Sequence, residues 1–504
     1  MKDSFKILLV ATILFGLIYP LSDSIHFQQN DDWVYYNTVK NFLNGKIILD
    51  RHTESTLYAQ AFIGTFFVKI FDINKLPVLT LLVSVLNFII FTYTLHKFFI
   101  KKLSLSILIG LLLFFNPLHI YSALGFMTDN YFLLFLLLTV YFVTSHLRTG
   151  KTTDLVFADT AIFLGFFTRQ LTIVLPVALA ITLVLKKKYK EAILQFLYSG
   201  LLVLYFLFLF PKTSDMRQNE SLIDLLRNTL QIKQNFTDLF LYLFYIAVFT
   251  FPFVFSIAKK EWFKAKLFIA GLLVVSVLLI ALTQYSNAHL FYFRNTVQDK
   301  GFFYGSLLNR KYELYGAQIF YLAWKLLALF AFGISIAAAL RSRARLLNFY
   351  TIAGVLYLGL VLVLSSTYDR YVLPLLPLFI LGFLFVGCSF NRFARTAIGL
   401  FLVILVYLNY AFSVDFVLIN NYMWAKSTYL VKSLNVRESQ IMAGYAWRML
   451  YYNPTLRYKY TYSYVEAAAI PDLSCCYKIY DSYEPTFPLS PFKDPKVYLY
   501  KRRF

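Results

Sequence analysis

The segment NDDWVYYNTVKNFLNG, Asn30 to Gly45, decides how the rest of the chain is read. It sets two adjacent carboxylates, Asp31 and Asp32, in a polar stretch soon after a hydrophobic run from Ile7 to Leu21. Within it Tyr35, Val39 and Phe42 recur at spacings of four and three, which predicts a helix lying at a water–membrane boundary. An acid pair there, with no immediate basic neighbour, is a candidate for proton transfer.

Outward from that segment the chain is mostly apolar. Of 504 residues 59% are hydrophobic and 15% charged, more apolar side chain than a soluble domain could cover, so a polytopic membrane protein is expected. Aromatic residues make up 19%; Phe dominates and lies inside the hydrophobic runs, where helix and lipid packing account for it. A net charge of +22 would suggest nucleic acid in a soluble protein. Here the cations sit mostly in short loops, so the bilayer is the expected partner and nucleic acid is not. The three cysteines, Cys388, Cys475 and Cys476, give neither a zinc spacing nor a disulfide framework.

Lys2 and Lys6 precede the first run, and YPLSDS follows it without a small-x-small cleavage site. That reads as an uncleaved helix with its N-terminus in the cytoplasm. Further runs fall at about 77–96, 103–121, 131–146, 155–167, 171–185, 191–210, 238–258, 267–283, 316–340, 348–364, 371–389 and 396–413, making about thirteen membrane helices. The run 57–71 is apolar but short for a ~30 Å hydrocarbon core. Read as an outer interfacial helix, it leaves Lys97, Lys101, Lys102, Arg148, Lys151, Lys186–Lys190, Arg341 and Arg392 all on the cytoplasmic side.

The expected architecture is an all-α polytopic membrane domain over 1–413, with that interfacial helix in its first outer loop, and a small extracytoplasmic α/β domain over 414–504. Strand-like alternation in RYKYTYSYVE puts Tyr458, Tyr460, Tyr462 and Tyr464 on one face. Those rings suit the cover of a hydrophobic sheet face better than a sugar platform.

On the outer side the topology gathers acids and cations. Asp31, Asp32 and Glu54 belong to the first loop, and Asp129 opens a helix in LGFMTDNYFLL, where a helix N-terminus alone would favour a carboxylate. Arg169 lies in the turn Thr168–Gln170 between two short helices, a costly depth for a cation unless it meets an anion or snorkels to the surface. Arg370, in SSTYDRYVLPLLP, has Asp369 as a local partner. A carboxylate facing guanidinium groups suits transfer from a phosphate leaving group: the acid takes a hydroxyl proton while the arginines neutralise the departing phosphate.

The order of first helix, NDDWVYYNTVKNFLNG, interfacial helix, MTDNYF, FFTRQLTIVLP and DRYVLPLLP resembles the GT-C glycosyltransferases, in particular the protein O-mannosyltransferase, ArnT and RgtA-like group, over roughly residues 1–413. The resemblance implies inverting transfer of a sugar from a polyprenyl-phosphate carrier to a hydroxyl of a lipid, glycan or protein acceptor on the extracytoplasmic face of the plasma membrane. It implies a catalytic set of Asp31 as base with Asp32 and Asp129 orienting the acceptor, Arg169, Arg370 and Tyr371 as the donor phosphate site, and Glu54 and Tyr35 as auxiliary or acceptor residues. Several relatives need no metal, so the resemblance implies no particular cofactor; a divalent cation held by the hard oxygens of Asp32 and Asp129 is the less favoured alternative to their orienting the acceptor. Prolines that many relatives carry before the interfacial helix are absent from TESTLYAQ, and TRQ stands where a Thr-Lys form is usual.

Two other readings use similar carriers. A lipid-linked glycan flippase or transporter would set charges along a path through the helices, with Lys325 the clearest candidate and Asp159 near a helix end. A glycan polymerase or ligase would use other motifs.

Overall fold

The computed structural model describes residues 2–211, 232–257, 296–298, 301–303, 347–363, 368–387, 390–451, 458–463 and 476–503, with isolated positions between 315 and 331. Helices stand at the expected runs except 267–283 and most of 316–340, which lie outside the described residues, as do Lys325, Arg341, Tyr464, Cys388 and Cys475. Cys476 is disulfide-bonded, a bridge the spacing of the cysteines gave no ground to expect.

Among the described residues five helices are long and apolar enough to cross a membrane: Lys2–Asp23, Ile73–Phe98, Thr128–Thr149, Tyr189–Leu209 and Arg392–Leu434. Tyr58–Val68, Gln170–Leu185, Asp238–Thr250 and Phe349–Val363 are apolar but shorter, so thirteen full crossings are not established. Within an 18-residue apolar stretch of each, 72% of Ile73–Phe98 and 78% of Thr128–Thr149 is buried, and these form the centre, whereas the same share is 17% in Lys2–Asp23 and 22% in Tyr189–Leu209, which lie at the periphery. Apolar side chains turned outward on the peripheral helices suit a lipid surround.

The run 103–121 breaks into Leu103–Phe114 and Pro117–Ala123, bent by 65°. Asn116 causes the break, because its side chain accepts from Leu118 N–H at 3.0 Å and Pro117 starts the second piece. Lys97 Nζ donates to Tyr141 Oη at 2.7 Å, and Arg148 Nη2 donates to the Phe98 carbonyl, so two of the basic segments meet at one end of the central helices. Asp129 stands at the opposite end of Thr128–Thr149.

Of the two first-loop helices expected at the membrane boundary, only the second turns an apolar face outward. Asp32–Leu43 forms, but Tyr35, Val39 and Phe42 are buried against protein, packing with Leu76, Leu79, Phe126, Met127 and Tyr131 rather than with lipid. Tyr58–Val68 instead buries its small residues, Ala59, Ala61 and Gly64, and exposes Phe62 and Phe66, as a helix at an apolar boundary would.

Arg392–Leu434 runs unbroken for 43 residues, ~65 Å at 1.5 Å per residue, straight through the boundary expected at 413. The part beyond a membrane thickness carries a four-stranded sheet in the order Ile441–Met442, Tyr460–Ser463, Val497–Arg502, Tyr477–Tyr483. The first pair is parallel and the others antiparallel. Tyr462 Oη donates to the Met423 carbonyl at 3.1 Å and Tyr422 stacks on Tyr483 at 4.6 Å, so the tyrosine-bearing strand is clamped to the helix. Tyr460 and Tyr462 are buried, as the cover of a sheet face requires.

Candidate active site

Three loops distant in sequence converge at the end of the central helices that carries Asp129. Asn30 turns the chain into the acid pair with φ +43°, a left-handed conformation that Asn tolerates better than most residues. The following two carboxylates take different partners. Asp31, 30% exposed at its side chain, accepts from Arg370 Nη2 at 2.9 Å and from Asn30 Nδ2 at 3.3 Å. Both contacts use Oδ2 and leave Oδ1 without a partner among the described residues.

Asp32 is 1% exposed. Its Oδ2 accepts from Phe126 N–H at 3.0 Å and Gln29 N–H at 3.4 Å, bolting the first loop to the second. Gly125 makes this possible, since a Cβ there would stand 2.3 Å from Asp32 Oδ2. Burial pushes the Asp32 carboxyl up to about 8, helped by the charge of Asp31 and resisted by the two backbone donors. It is therefore largely a neutral acid at pH 7, a strut rather than a base.

Arg370 spans 339 residues to reach Asp31. Asp369 takes no part in this, because its Oδ2 accepts from Thr296 N–H at 2.8 Å and Val297 N–H at 2.7 Å. Its role is to hold the hairpin Val297–Gln298/Gly301–Phe302. Burial raises the Asp369 carboxyl to about 6 against those two donors. Arg370 is 5% exposed and lies 5.0 Å from the centre of the Tyr368 ring. Its Nε and Nη1 have no hydrogen-bond partner among the described residues. Burial opposes its charge, but Asp31 and Asp129 outweigh that, and the guanidinium is held well above its ordinary value.

The turn before Gln170 is buried, and its backbone is satisfied by the first loop. Thr56 Oγ1 donates to the Phe166 carbonyl, Ala59 N–H to Phe167 at 2.8 Å and Leu57 N–H to Thr168 at 3.3 Å. Leu57, at φ +32°, lets the chain enter Tyr58–Val68 while making these bonds. Arg169 is thereby fixed: Nε donates to Thr128 Oγ1 at 2.8 Å, and the guanidinium lies 5.4 Å from the centre of the Tyr371 ring. Its Nη1 is 3.1 Å from Asp129 Oδ1, an ion pair by distance, yet no N–H is aimed at that oxygen. The distance is the firmer observation, and the poor alignment means that both groups retain bonding capacity.

The site residues expected from the sequence thus fall into one neighbourhood with two poles. Asp31, Arg370, Tyr371, Arg169 and Asp129 form the charged centre, and Tyr35, buried on Asp32–Leu43, lies within electrostatic reach of both arginines. Glu54 is exposed at the edge; its backbone carbonyl accepts from Gln170 Nε2 at 3.2 Å. Sequence reasoning missed Asn30, Gly125, Tyr368 and the bracketing role of Asp369. Among the described residues no group of three or more His, Cys, Asp or Glu side chains is placed to hold a metal ion. Asp32 and Asp129 meet backbone donors and Arg169 instead of a shared centre.

Beside Asp31 opens a small cleft lined by Gln28, Gln29, Asn30, Tyr121, Asn420, Trp424 and Tyr445, among others. Asp31 and the arginines are not part of its wall, and Asn30 connects the two.

No protein-family model matches the chain, and no curated protein does. Among solved structures the chain is similar to the crystal structure of ArnT from Cupriavidus metallidurans bound to undecaprenyl phosphate. The likeness covers 85% of this chain and 72% of that one, at 12% identity and a TM-score of 0.44. A likeness that loose fixes neither the role of a residue nor a substrate.

Proposed function

We propose that the protein is a membrane glycosyltransferase that moves a sugar, with inversion, from a polyprenyl-phosphate carrier to a hydroxyl acceptor on the extracytoplasmic face. The observation that carries this reading is the pair of buried arginines whose N–H groups are not all used among the described residues, set beside a carboxylate with one oxygen unpartnered there. Unsatisfied guanidinium donors favour a tetrahedral oxyanion, and an unpartnered carboxylate oxygen can accept a proton.

In the reaction Asp31 Oδ1 takes the proton of the acceptor hydroxyl as its oxygen bonds to the anomeric carbon. The bond from that carbon to the phosphate oxygen breaks, and its electron pair stays on the leaving phosphate. Arg370 Nε and Nη1 and Arg169 Nη1 neutralise the charge that develops there. Tyr371 braces Arg169 by its ring face, Asp129 sets the Arg169 position, and Asp32 is a positioning residue that holds the loop bearing Asp31. Tyr35 and Glu54 flank the approach.

The test is release of polyprenyl phosphate from a polyprenyl-phosphate sugar by the purified protein in nanodiscs, with analysis of glycans from cells with and without the gene to identify sugar and acceptor. Asp31→Asn keeps shape but not basicity, so turnover should fall ~10²-fold to 10⁴-fold with thermal stability retained. Near-normal turnover would remove Asp31 from the reaction.

A further inference from the structure

The cleft beside Asp31 has a chemistry of its own. Four of its wall residues, Gln28, Gln29, Asn30 and Asn420, carry primary amides, and four more, Tyr121, Phe416, Trp424 and Tyr445, are aromatic. None of the lining residues is an Asp, Glu, Lys, Arg or His. The carbonyl oxygens of the Gln28 and Gln29 side chains are buried without a hydrogen-bond partner among the described residues. Buried amide oxygens left unpaired are costly, so a ligand with hydroxyl donors gains by entering. Trp424 is fixed edge-on against Trp447 at 5.2 Å, and Tyr445 is 36% exposed, so aromatic surface is presented without loss of side-chain freedom.

From this we infer that the cleft is a carbohydrate subsite, and that the acceptor hydroxyl belongs to an uncharged sugar unit rather than to a lipid phosphate or a peptide. The inference rests on the glycosyltransferase reading for its word acceptor, though not for its word carbohydrate. Primary amides donate and accept at once, as sugar hydroxyls do, and aromatic faces cover the apolar face of a pyranose ring. A phosphorylated acceptor would want cations in the wall, and there are none. An extended peptide would want a strand edge, and Ile441–Met442, the strand leading into Ala443 and Gly444 of the wall, is two residues long. Asn30 links subsite to base, because it lines the cleft and donates to Asp31 Oδ2.

Saturation-transfer NMR on the full chain in phosphatidylcholine nanodiscs tests this with maltose, lactose, chitobiose, mannobiose and a blocked Ser/Thr peptide as probes. At least one disaccharide should show transfer that falls roughly fivefold or more in Gln28→Ala, Asn420→Ala and Tyr445→Ala. Tyr445 is partly exposed, so its variant keeps the test valid should the more buried Asn420 variant fail to fold. Binding of polyprenyl phosphate, measured in the same discs, should not change. No transfer to any disaccharide, transfer indifferent to all folded variants, or transfer to the peptide alone would overturn the inference. Release of polyprenyl phosphate by wild type with no sugar binding would sink the subsite while leaving the enzyme. Sugar binding without any such release would sink the enzyme reading and leave a carbohydrate-binding cleft.

Discussion

Replacement of Arg370 by Met separates a binding role from a folding role. Among the described residues the guanidinium makes one hydrogen bond, to Asp31, and one ring contact, to Tyr368, and is otherwise buried with no partner for Nε and Nη1. Methionine fills much of the same volume without a charge to desolvate. The lost ion pair and the relieved burial therefore largely offset each other, and a change of about 2 kcal/mol or less in stability is expected. Donor binding should suffer far more. If a phosphate uses the two idle N–H groups, each charge-assisted bond contributes ~1.5–3 kcal/mol, together ~3–6 kcal/mol, or a loss of ~10²-fold to 10⁴-fold. Titration of undecaprenyl phosphate into the protein in nanodiscs, beside a thermal melt of each variant, reads both quantities. Lysine should restore only part of the affinity, because it lacks the planar fork. An Arg370→Met variant that folds and binds the phosphate within threefold of wild type would refute the assignment.

Asp32 makes stability fall with pH. Its folded-state value of about 8 lies above the unfolded 3.8, so between them the native state holds the extra proton, and stability declines by up to ~1.4 kcal/mol per pH unit before levelling off above 8. Denaturation midpoints from pH 5 to 9 should show that decline in the wild type and lose it in Asp32→Asn. Gly125→Ala should push Asp32 and Gln29 apart, lowering Tm by several degrees and turnover with it, whereas Gly16→Ala, with open space around it, should do neither. Asp129→Leu or Arg169→Met alone leaves a buried unpaired charge and should destabilise by ~3–5 kcal/mol, while the double variant should recover most of that stability in melts yet stay inactive. Activity in the stable double variant would mean that the pair serves only the fold.

Much of the architecture was legible because hydrophobic length is read directly from the sequence. What could not be read was where a run would break or continue. Asn116–Pro117 ends one helix inside an apolar stretch, and its signal is local capping chemistry that a hydropathy window averages away. Conversely, Arg392–Leu434 continues past 413 because its outer turns bury one face and meet the sheet at Tyr462 through Met423 and Ser427. The helix Asp32–Leu43 shows the same limit from the other side. A spacing of four and three marks an apolar face but not what covers it, and here protein does so where lipid was expected.

The site was legible as a set of residues and not as a set of pairs. Sidedness placed Asp31, Asp32, Asp129, Arg169 and Arg370 together, but proximity along the chain favoured Asp369 as the partner of Arg370. A carboxylate adjacent to an arginine is free to turn the other way when two backbone N–H groups await it, and Thr296 and Val297 supply them from 73 and 72 residues away. Asp31 and Asp32 divide by the same rule. The one that finds backbone donors in a dry place is pushed toward its neutral form, and the one left at the edge of a cleft keeps an oxygen without a partner among the described residues. Backbone donors, invisible in a list of side chains, thus decide which acids of an acidic cluster remain available to a substrate.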